Sequence, residues 1–376
     1  MLNIEHLLKQ ERLVRAMTGL NLKAFRDMET SFEEAYQQSL NQPEKERKRR
    51  QGGGRKATLR TASDKMLFIL MYIKCYPTFD LMGVLFNFDR SCAHDWVHRL
   101  LPVLEAVLGK KQVLPERKIH SIAGFLEKFP GVKEVIIDGT ERPVQRPKDV
   151  EKQTEYYSGK KKRHTRKHTT GSTRNKKVIL LSKARGGKVH DKKQLDAEEW
   201  IENIPDEVAI EGDLGFQGLQ NEFVNVHLPH KKTRGKELTE LQKVENREFS
   251  RQRVVCEHAH AGIKRCRAVT DVYRNRVTDF DDRLMLNATG LWNYYLGVAE
   301  KARKAYKQWF SRRSKTDTMQ EKAGKVSKTL AQIKFHVPTI SQRTAIIREF
   351  LLTIWRQPVR RKSMGKISGT ITMGTI

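Results

Sequence analysis

Two apolar runs, each ending in aspartate, constrain this chain more than any other feature. VKEVIID (132–138) closes on Asp138, and EVAIEGD (207–213) closes on Asp213. In each run apolar residues precede the acid, as in a buried strand, so each carboxylate rides on a rigid element. The carboxyl ends of strands are where α/β sheets hold functional groups. Further strands are expected at VILLSKA (178–184) and VNVHLPH (224–230), and the basic stretch 158–170 alternates loosely enough to be another. Periodicity predicts helices over 191–203, 236–268 and 280–299. Strands come first and then alternate with helices. The expected fold class is therefore α/β, a mixed sheet flanked by helices, with an all-α region in front.

That all-α region has several parts. Residues 1–41 read as an N-terminal helical segment, with Leu7, Leu8, Leu13, Met17 and Leu20 at roughly helical spacing. Residues 42–60 (QPEKERKRRQGGGRKATLR) form a basic, Gly-rich linker, either a solvated spacer or an arm that tracks phosphates. Within 61–110, Ser63 can cap a helix through Met66, Leu67, Ile69, Leu70 and Ile73. Pro77-Thr78 ends it and starts a second, from Phe79 to Leu85. After a tight turn at Asp89-Arg90, a third helix, capped by Asp89 or Ser91, buries Ala93, Trp96, Val97, Leu100 and Leu101. Its other face shows His94, Asp95, His98 and Arg99. A plain three-helix bundle would look similar, but the order also fits a helix-turn-helix whose last helix enters the major groove. The candidate DNA contacts there are Arg90, Ser91, His94, His98 and Arg99. A catalytic domain is expected over 130–299. A basic, partly disordered C-terminal extension follows over 300–376, with one apolar run at 345–355.

Charge narrows the partner. The 376 residues carry 73 Lys+Arg against 44 Asp+Glu, a net charge of +29. Such an excess points to a polyanion, with nucleic acid first. No run approaches the roughly 18 apolar residues of a membrane span. The N-terminus lacks the apolar stretch of a secretory signal. Four cysteines are too few for a disulfide framework. The Gly-rich GDLGFQG lacks the Lys-Ser/Thr of a phosphate-binding loop, so no nucleotide cofactor is expected. Cys256, His258, His260 and Cys266 do not match a zinc spacing.

Aspartates also begin ordinary turns. Two of them on strands in so basic a chain suggest metal-assisted phosphodiester chemistry, because Mg takes oxygen ligands and two metals can serve the attacking and leaving oxygens. Glu257 fits as a third acid. Arg253 lies four residues before it and Lys264 seven after, which puts all three in one helical stripe. The bland alternative is a surface ion pair between Arg253 and Glu257. Asp191 reads as the cap of the 191–203 helix or as a group beside the metals. Glu141 reads as an exposed turn residue, and Trp292, Tyr294 and Tyr295 as core packing.

Together, Asp138 in IDGTE, Asp213 in GDLGFQG and Glu257 in R-x-x-x-E-x-x-x-x-x-x-K resemble the DDE-superfamily transposases of the insertion sequence 5 type. The family pattern has a tyrosine three residues before the arginine. Here that position is Ser250, with Phe249 adjacent. The segments GGGRK, PTFDLMGVLFNFDRS, YYSGKKKRHTRKH and VHDKK are similar to family segments as well, so the resemblance covers roughly 45–298. It implies a ribonuclease H-like core with Asp138 on the first strand, Asp213 after the fourth, and Glu257 on a helix beside them. Some relatives insert a β-rich domain before the glutamate. The 44 residues from Asp213 to Glu257 leave no room for one.

The resemblance also implies a function. Such a transposase binds the terminal repeats of its own mobile element and catalyses Mg-dependent cleavage and strand transfer. Asp138, Asp213 and Glu257 would be catalytic and would hold two divalent ions, Mg or Mn in its place. Lys160, Lys161, Lys162, Arg163, Arg166, Lys167, Arg253 and Lys264 would neutralise phosphates, a contribution that falls steeply with salt. The partners would be double-stranded DNA, both element ends and target, and further copies of the chain on that DNA. No membrane is involved, and the setting is the bacterial cytoplasm beside the nucleoid. Two alternatives stay open: a catalytically silent, repurposed or decayed DNA-binding protein, and a nuclease that cuts without strand transfer.

Overall fold

The computed structural model describes residues 2–41, 57–232, 234–235 and 237–313. Most of the expected linker, the extension beyond 313 and the run 345–355 lie outside the described residues. The chain divides into compact units 1–302 and 303–376, and the described part of the second is helical.

Among the described residues six helices come first. They are α1 (Ile4–Lys9), α2 (Glu11–Thr18), α3 (Leu22–Leu40), α4 (Ala62–Cys75), α5 (Phe79–Phe86) and α6 (Arg90–Lys110). Helix α4 is capped by Thr61 rather than Ser63. The Thr61 hydroxyl accepts from the Asp64 N–H, and the Asp64 carboxylate accepts from the Thr61 N–H. This reciprocal box satisfies two end donors at once, which a serine two residues further in cannot do. Between α5 and α6 the chain turns so closely that a Cβ on Gly83 would sit 2.5 Å from the Phe88 carbonyl oxygen.

The second half is built on a sheet. Its elements are α7 (Ile122–Lys128), β1 (Glu134–Pro143), α8 (Val150–Tyr156), β2 (Tyr157–Ser158), β3 (Arg163–Ser172), β4 (Val178–Leu181), β5 (Arg185–Gly186), α9 (Asp191–Asp196), β6 (Ala209–Glu211), β7 (Val226–His227), α10 (Glu240–Ile263) and α11 (Phe280–Arg313). Among the described residues seven strands run in the order β2-β3-β1-β6-β7, with β4 and β5 also pairing to β3. β1 is antiparallel to β3 and parallel to β6. This is the expected mixed α/β architecture. With the two-residue strands β2 and β5 set aside, β6 is the fourth strand, and Asp213 follows it. Between Asp213 and Glu257 the described chain holds short 3-10 turns, β7 and part of α10.

Three local expectations change. Asp138 is not at a strand end, because β1 continues to Pro143 along the long partner β3. Glu141 therefore lies within β1 and is not in an exposed turn. The helix expected over 191–203 is broken into α9 and a 3-10 turn at Ile201–Asn203.

Two apolar clusters flank the sheet. One runs from Phe25 and Phe32 through Phe68 and Leu104 to Ile263, Leu284 and Ala288. The other holds Phe125, Val135, Ile137, Leu195, Trp200 and Phe216. The boundary expected near residue 110 is thus no break in packing. The helix-turn-helix shares its core with α10 and α11, and that core fixes the helices that face the sheet.

Candidate active site

β1 and β6 pair in parallel only from Glu134↔Ala209 to Ile136↔Glu211. Beyond that point the strands part, β1 staying with β3 and β6 ending in a 3-10 turn. Asp138 and Asp213 each lie two residues past the last paired position. Strand side chains alternate with period two, so Asp138 returns to the face of Ile136. The backbone at Asp213 is extended (φ −90°, ψ 179°). The two carboxylates thus flank the crevice where the sheet opens, and their charges repel.

Helix α10 covers Asp138. Arg253 Nη2 is 3.5 Å from Asp138 Oδ1, and His260 Nδ1 is 3.5 Å from Oδ2. The Cys256 thiol donates to Oδ2 at 3.6 Å. Burial raises the Asp138 pKa, Arg253 opposes that, and Asp213 adds to it. Burial pushes His260 down to about 4, helped by Lys264 and Arg253. Burial and Asp138 push Cys256 up to about 12. Both are neutral near pH 7, so Arg253 is the cation that meets the Asp138 carboxylate.

Glu257 stands at the edge of this stripe. Its side chain is exposed and makes no hydrogen bond or ion pair among the described residues. The surface pair with Arg253 is not formed, because Arg253 turns inward to Asp138. Ser250, at the position of the family tyrosine, donates to the Asn246 carbonyl at 2.7 Å.

Around Asp213 the structure gathers residues that the sequence left apart. Asp191 is the first residue of α9, and the cap position is His190, whose side chain makes no capping bond. Asp191 Oδ1 is 3.1 Å from Lys167 Nζ. Glu141 is partly buried beside them, with Oε1 3.9 Å from the same ammonium and Oε2 accepting from Thr165 at 2.8 Å. Asp213 Oδ1 accepts from the Gly215 N–H at 2.9 Å. A Cβ on Gly215 would lie 2.7 Å from Asp191 Oδ2 and 2.8 Å from Asp213 Oδ1, so the two acids are neighbours across a glycine. Lys167, Glu141, Asp191 and Asp213 line a cleft of about 1110 Å³. Two sequence signals point to Asp191, its place at the start of a helix and the segment VHDKK.

The expected phosphate contacts divide in two. Lys160, Lys161, Lys162 and Arg163 are exposed at the turn into β3, and Lys264 is exposed at the end of α10. Arg166 and Lys167 are not free for phosphates. The Arg166 Nε donates to Asp281 at 2.7 Å and its guanidinium lies over Tyr156. The Lys167 side chain is 8% exposed and donates to the Val189 carbonyl.

The helix-turn-helix divides likewise. Arg90, Ser91 and Arg99 are exposed on α6. His94 packs edge-on against Phe79, and His98 packs on Phe280 with its Nε2 3.1 Å from Asn275 Nδ2. Both rings meet an aromatic neighbour because amphipathic α6 is covered by α11 as well as by α5. Tyr294 is buried, and a Cβ on Gly262 would run into the Trp292 ring, as core packing requires.

Among the described residues no three His, Cys, Asp or Glu side chains are placed to hold a metal ion. The donor chemistry nevertheless fits a hard divalent cation. Asp138 and Asp213 offer oxygen only, they repel each other across a crevice, and burial leaves Asp138 short of compensating charge.

Residues 137–293 match the family described as DDE superfamily endonuclease. Residues 58–110 match the helix-turn-helix of DDE superfamily endonuclease. Over 281 residues the chain is 27% identical to a Microchaete diplosiphon protein named "Probable transposase for insertion sequence element IS702", covering 74% of this chain and 96% of that one. No solved structure matches the chain.

Proposed function

The chain belongs to the DDE-superfamily transposases with an N-terminal helix-turn-helix, and from that premise we propose that it moves its own element by cutting DNA at the terminal repeats and joining the freed ends to a target. The observation that carries this reading is the matched position of Asp138 and Asp213, each two residues past the last paired rung of β1 and β6. Water attacks phosphorus at the element end, the bond to the 3′ oxygen breaks, and that oxygen leaves as a hydroxyl. The hydroxyl then attacks a target phosphodiester, forming a new P–O bond and releasing the target's own 3′ oxygen. Both steps are in-line displacements and can share one site.

Asp138, Asp213 and Glu257 would hold two divalent ions, Mg or Mn, which when bound supply charge stabilisation at the attacking and leaving oxygens. Arg253 orients the Asp138 carboxylate and keeps a cation beside the reacting phosphate. Lys160, Lys161, Lys162, Arg163 and Lys264 offer the exposed positive charge that a DNA backbone needs. Arg90, Ser91 and Arg99 on α6 read the repeat. Synapsis of two ends calls for a homo-oligomer on the DNA. Among the described residues no helix is long and apolar enough to cross a membrane. The substrate places the work in the bacterial cytoplasm, at the nucleoid.

The test is strand transfer from a pre-cut end. The full chain is incubated with Mg, a plasmid target and duplexes from its own element end, terminated by a 3′ hydroxyl or by a dideoxynucleotide. Joining with the hydroxyl end alone supports the reading. Cleavage of uncut ends without any joining would reduce the protein to a nuclease.

A further inference from the structure

We propose that the cleft beside Asp213 holds an unpaired stretch of DNA strand, with Tyr157 stacked on one of its bases. The proposal rests on the DNA-cutting function above and specifies the form of the substrate that reaches the site.

The cleft has a charged floor and a basic rim. Glu141, Asp191 and Asp213 lie at the floor with Lys167 among them, while Arg146, Lys160 and Lys188 stand around it. All three rim cations are exposed. Beyond Asp213, where the scissile phosphate would lie, Glu141 and Asp191 repel phosphate, so the rest of a strand that enters must run its phosphates along the rim and turn its bases inward. Base edges carry amino donors that such oxygens accept.

Size suits an unpaired strand. The cleft is about 1110 Å³. That is near the upper size of small-molecule pockets, about 300–1,000 Å³, and has room for a few nucleotides.

An aromatic surface completes it. Tyr157 on β2 is 46% exposed, an unusual exposure for so large a ring. It sits opposite His164 on β3, with ring centroids 5.8 Å apart and planes at 72°. Edge-on contact with His164 fixes the tyrosine and leaves a ring face for another partner. An exposed ring inside a basic groove is how sequence-tolerant single-strand binders hold a base. The wall below is closely packed, since a Cβ on Gly187 would lie 2.8 Å from the Tyr156 carbonyl oxygen and closer still to the Thr165 hydroxyl. Arg146 is held at the rim by Gln153, which accepts from Nε at 3.0 Å and from Nη2 at 2.8 Å.

The experiment compares affinities by fluorescence anisotropy, in chelator so that nothing is cut. The full chain is titrated with a labelled duplex from its own element end, either blunt or carrying a short single-stranded overhang. Taking the ratio of the two affinities cancels the helix-turn-helix contribution. We expect the overhang to bind at least about five-fold tighter. Tyr157→Ala should bring the ratio to about one, and Tyr157→Phe should keep it, with unchanged melting in both. A ratio near one in the unsubstituted protein, or a preference that survives Tyr157→Ala, overturns the proposal. Because no metal or cleavage enters, its failure is distinct from failure of the transposase reading. A protein that cuts and joins DNA but shows no overhang preference removes only the cleft, while a Tyr157-dependent preference in a protein that never cuts keeps it.

Discussion

Arg253 on α10 meets Asp138 on β1 at 3.5 Å, and this contact ties the helix carrying Glu257 to the strand carrying the first acid. Both side chains are largely buried, so little solvent screens the pair. Asp138 has no other charged cation within ion-pair distance among the described residues, since His260 is neutral near pH 7. Removing the guanidinium should therefore misplace the carboxylate. We expect Arg253→Gln to slow single-turnover cleavage about 10- to 100-fold, the range typical of lost support behind a catalytic ligand. DNA affinity should fall far less, and Arg253→Lys should recover part of the rate. Equal losses in rate and affinity would make Arg253 a phosphate contact only.

Gly215 separates two carboxylates that a methyl group would push apart. Its Cβ would come within 2.8 Å of Asp213 Oδ1 and 2.7 Å of Asp191 Oδ2. Gly215→Ala should lower the cleavage rate at least about ten-fold by displacing Asp213, since small misplacements at reacting centres carry large rate penalties. Gly297 on α11 has open space around it and is the control. Gly297→Ala should leave cleavage unchanged and stabilise the helix by up to about 1 kcal/mol, read by thermal melting.

On α6, Arg99 and His98 are adjacent in sequence and differ in duty. Arg99 is exposed and lies over the Trp96 ring, whereas His98 is half-buried against Phe280. Arg99→Ala should weaken binding to the element's own end by about 1–3 kcal/mol if it reads a base, and should relax preference over unrelated DNA. His98→Ala should lower the melting temperature and leave that preference intact. Competition binding with matched and scrambled ends measures both.

Acid should loosen the join between α3 and α11. The Tyr294 hydroxyl donates to Asp27 Oδ2 at 2.7 Å, and Lys111 pairs with the same carboxylate at 3.0 Å. These contacts, Tyr294 first, hold the Asp27 pKa below its ordinary value. A depressed carboxylate adds stability above its unfolded pKa, about 3.9 for Asp, and that stability is lost as pH falls through the folded value. Asp27→Asn should thus lower the urea midpoint at pH 7. The gap from the unsubstituted protein should close as pH drops below about 4. A gap independent of pH would show that the charge of Asp27 contributes nothing.

The parts of this site that sequence could reveal are those carried by local pattern. The apolar runs before Asp138 and Asp213 mark buried strands wherever they pair, and the 3.6-residue period of α10 places Arg253 and Lys264 on one stripe. The Thr61 cap was also readable, since Asp64 stands at the matching position of the box, but Ser63 competed for the role. What could not be read depends on register between distant segments. Asp138 lies mid-strand because β3 extends β1 to Pro143. Glu141, Lys167 and Asp191 meet only because that pairing sets Glu141 opposite Lys167 and brings α9 against both. Arg166 looked like its basic neighbours and differs only because Asp281, far along the chain, turns toward it.

The most direct test of the central claim is metal-dependent cleavage of the element's own end by three single variants. Asp138→Asn, Asp213→Asn and Glu257→Gln keep size and remove charge. Each variant should bind the end within a few-fold of the unsubstituted protein, and each should lose nicking in Mg by about a thousand-fold or more. Nicking that survives at full rate in any one of the three, with the unsubstituted protein cutting normally, would contradict the assignment of that acid.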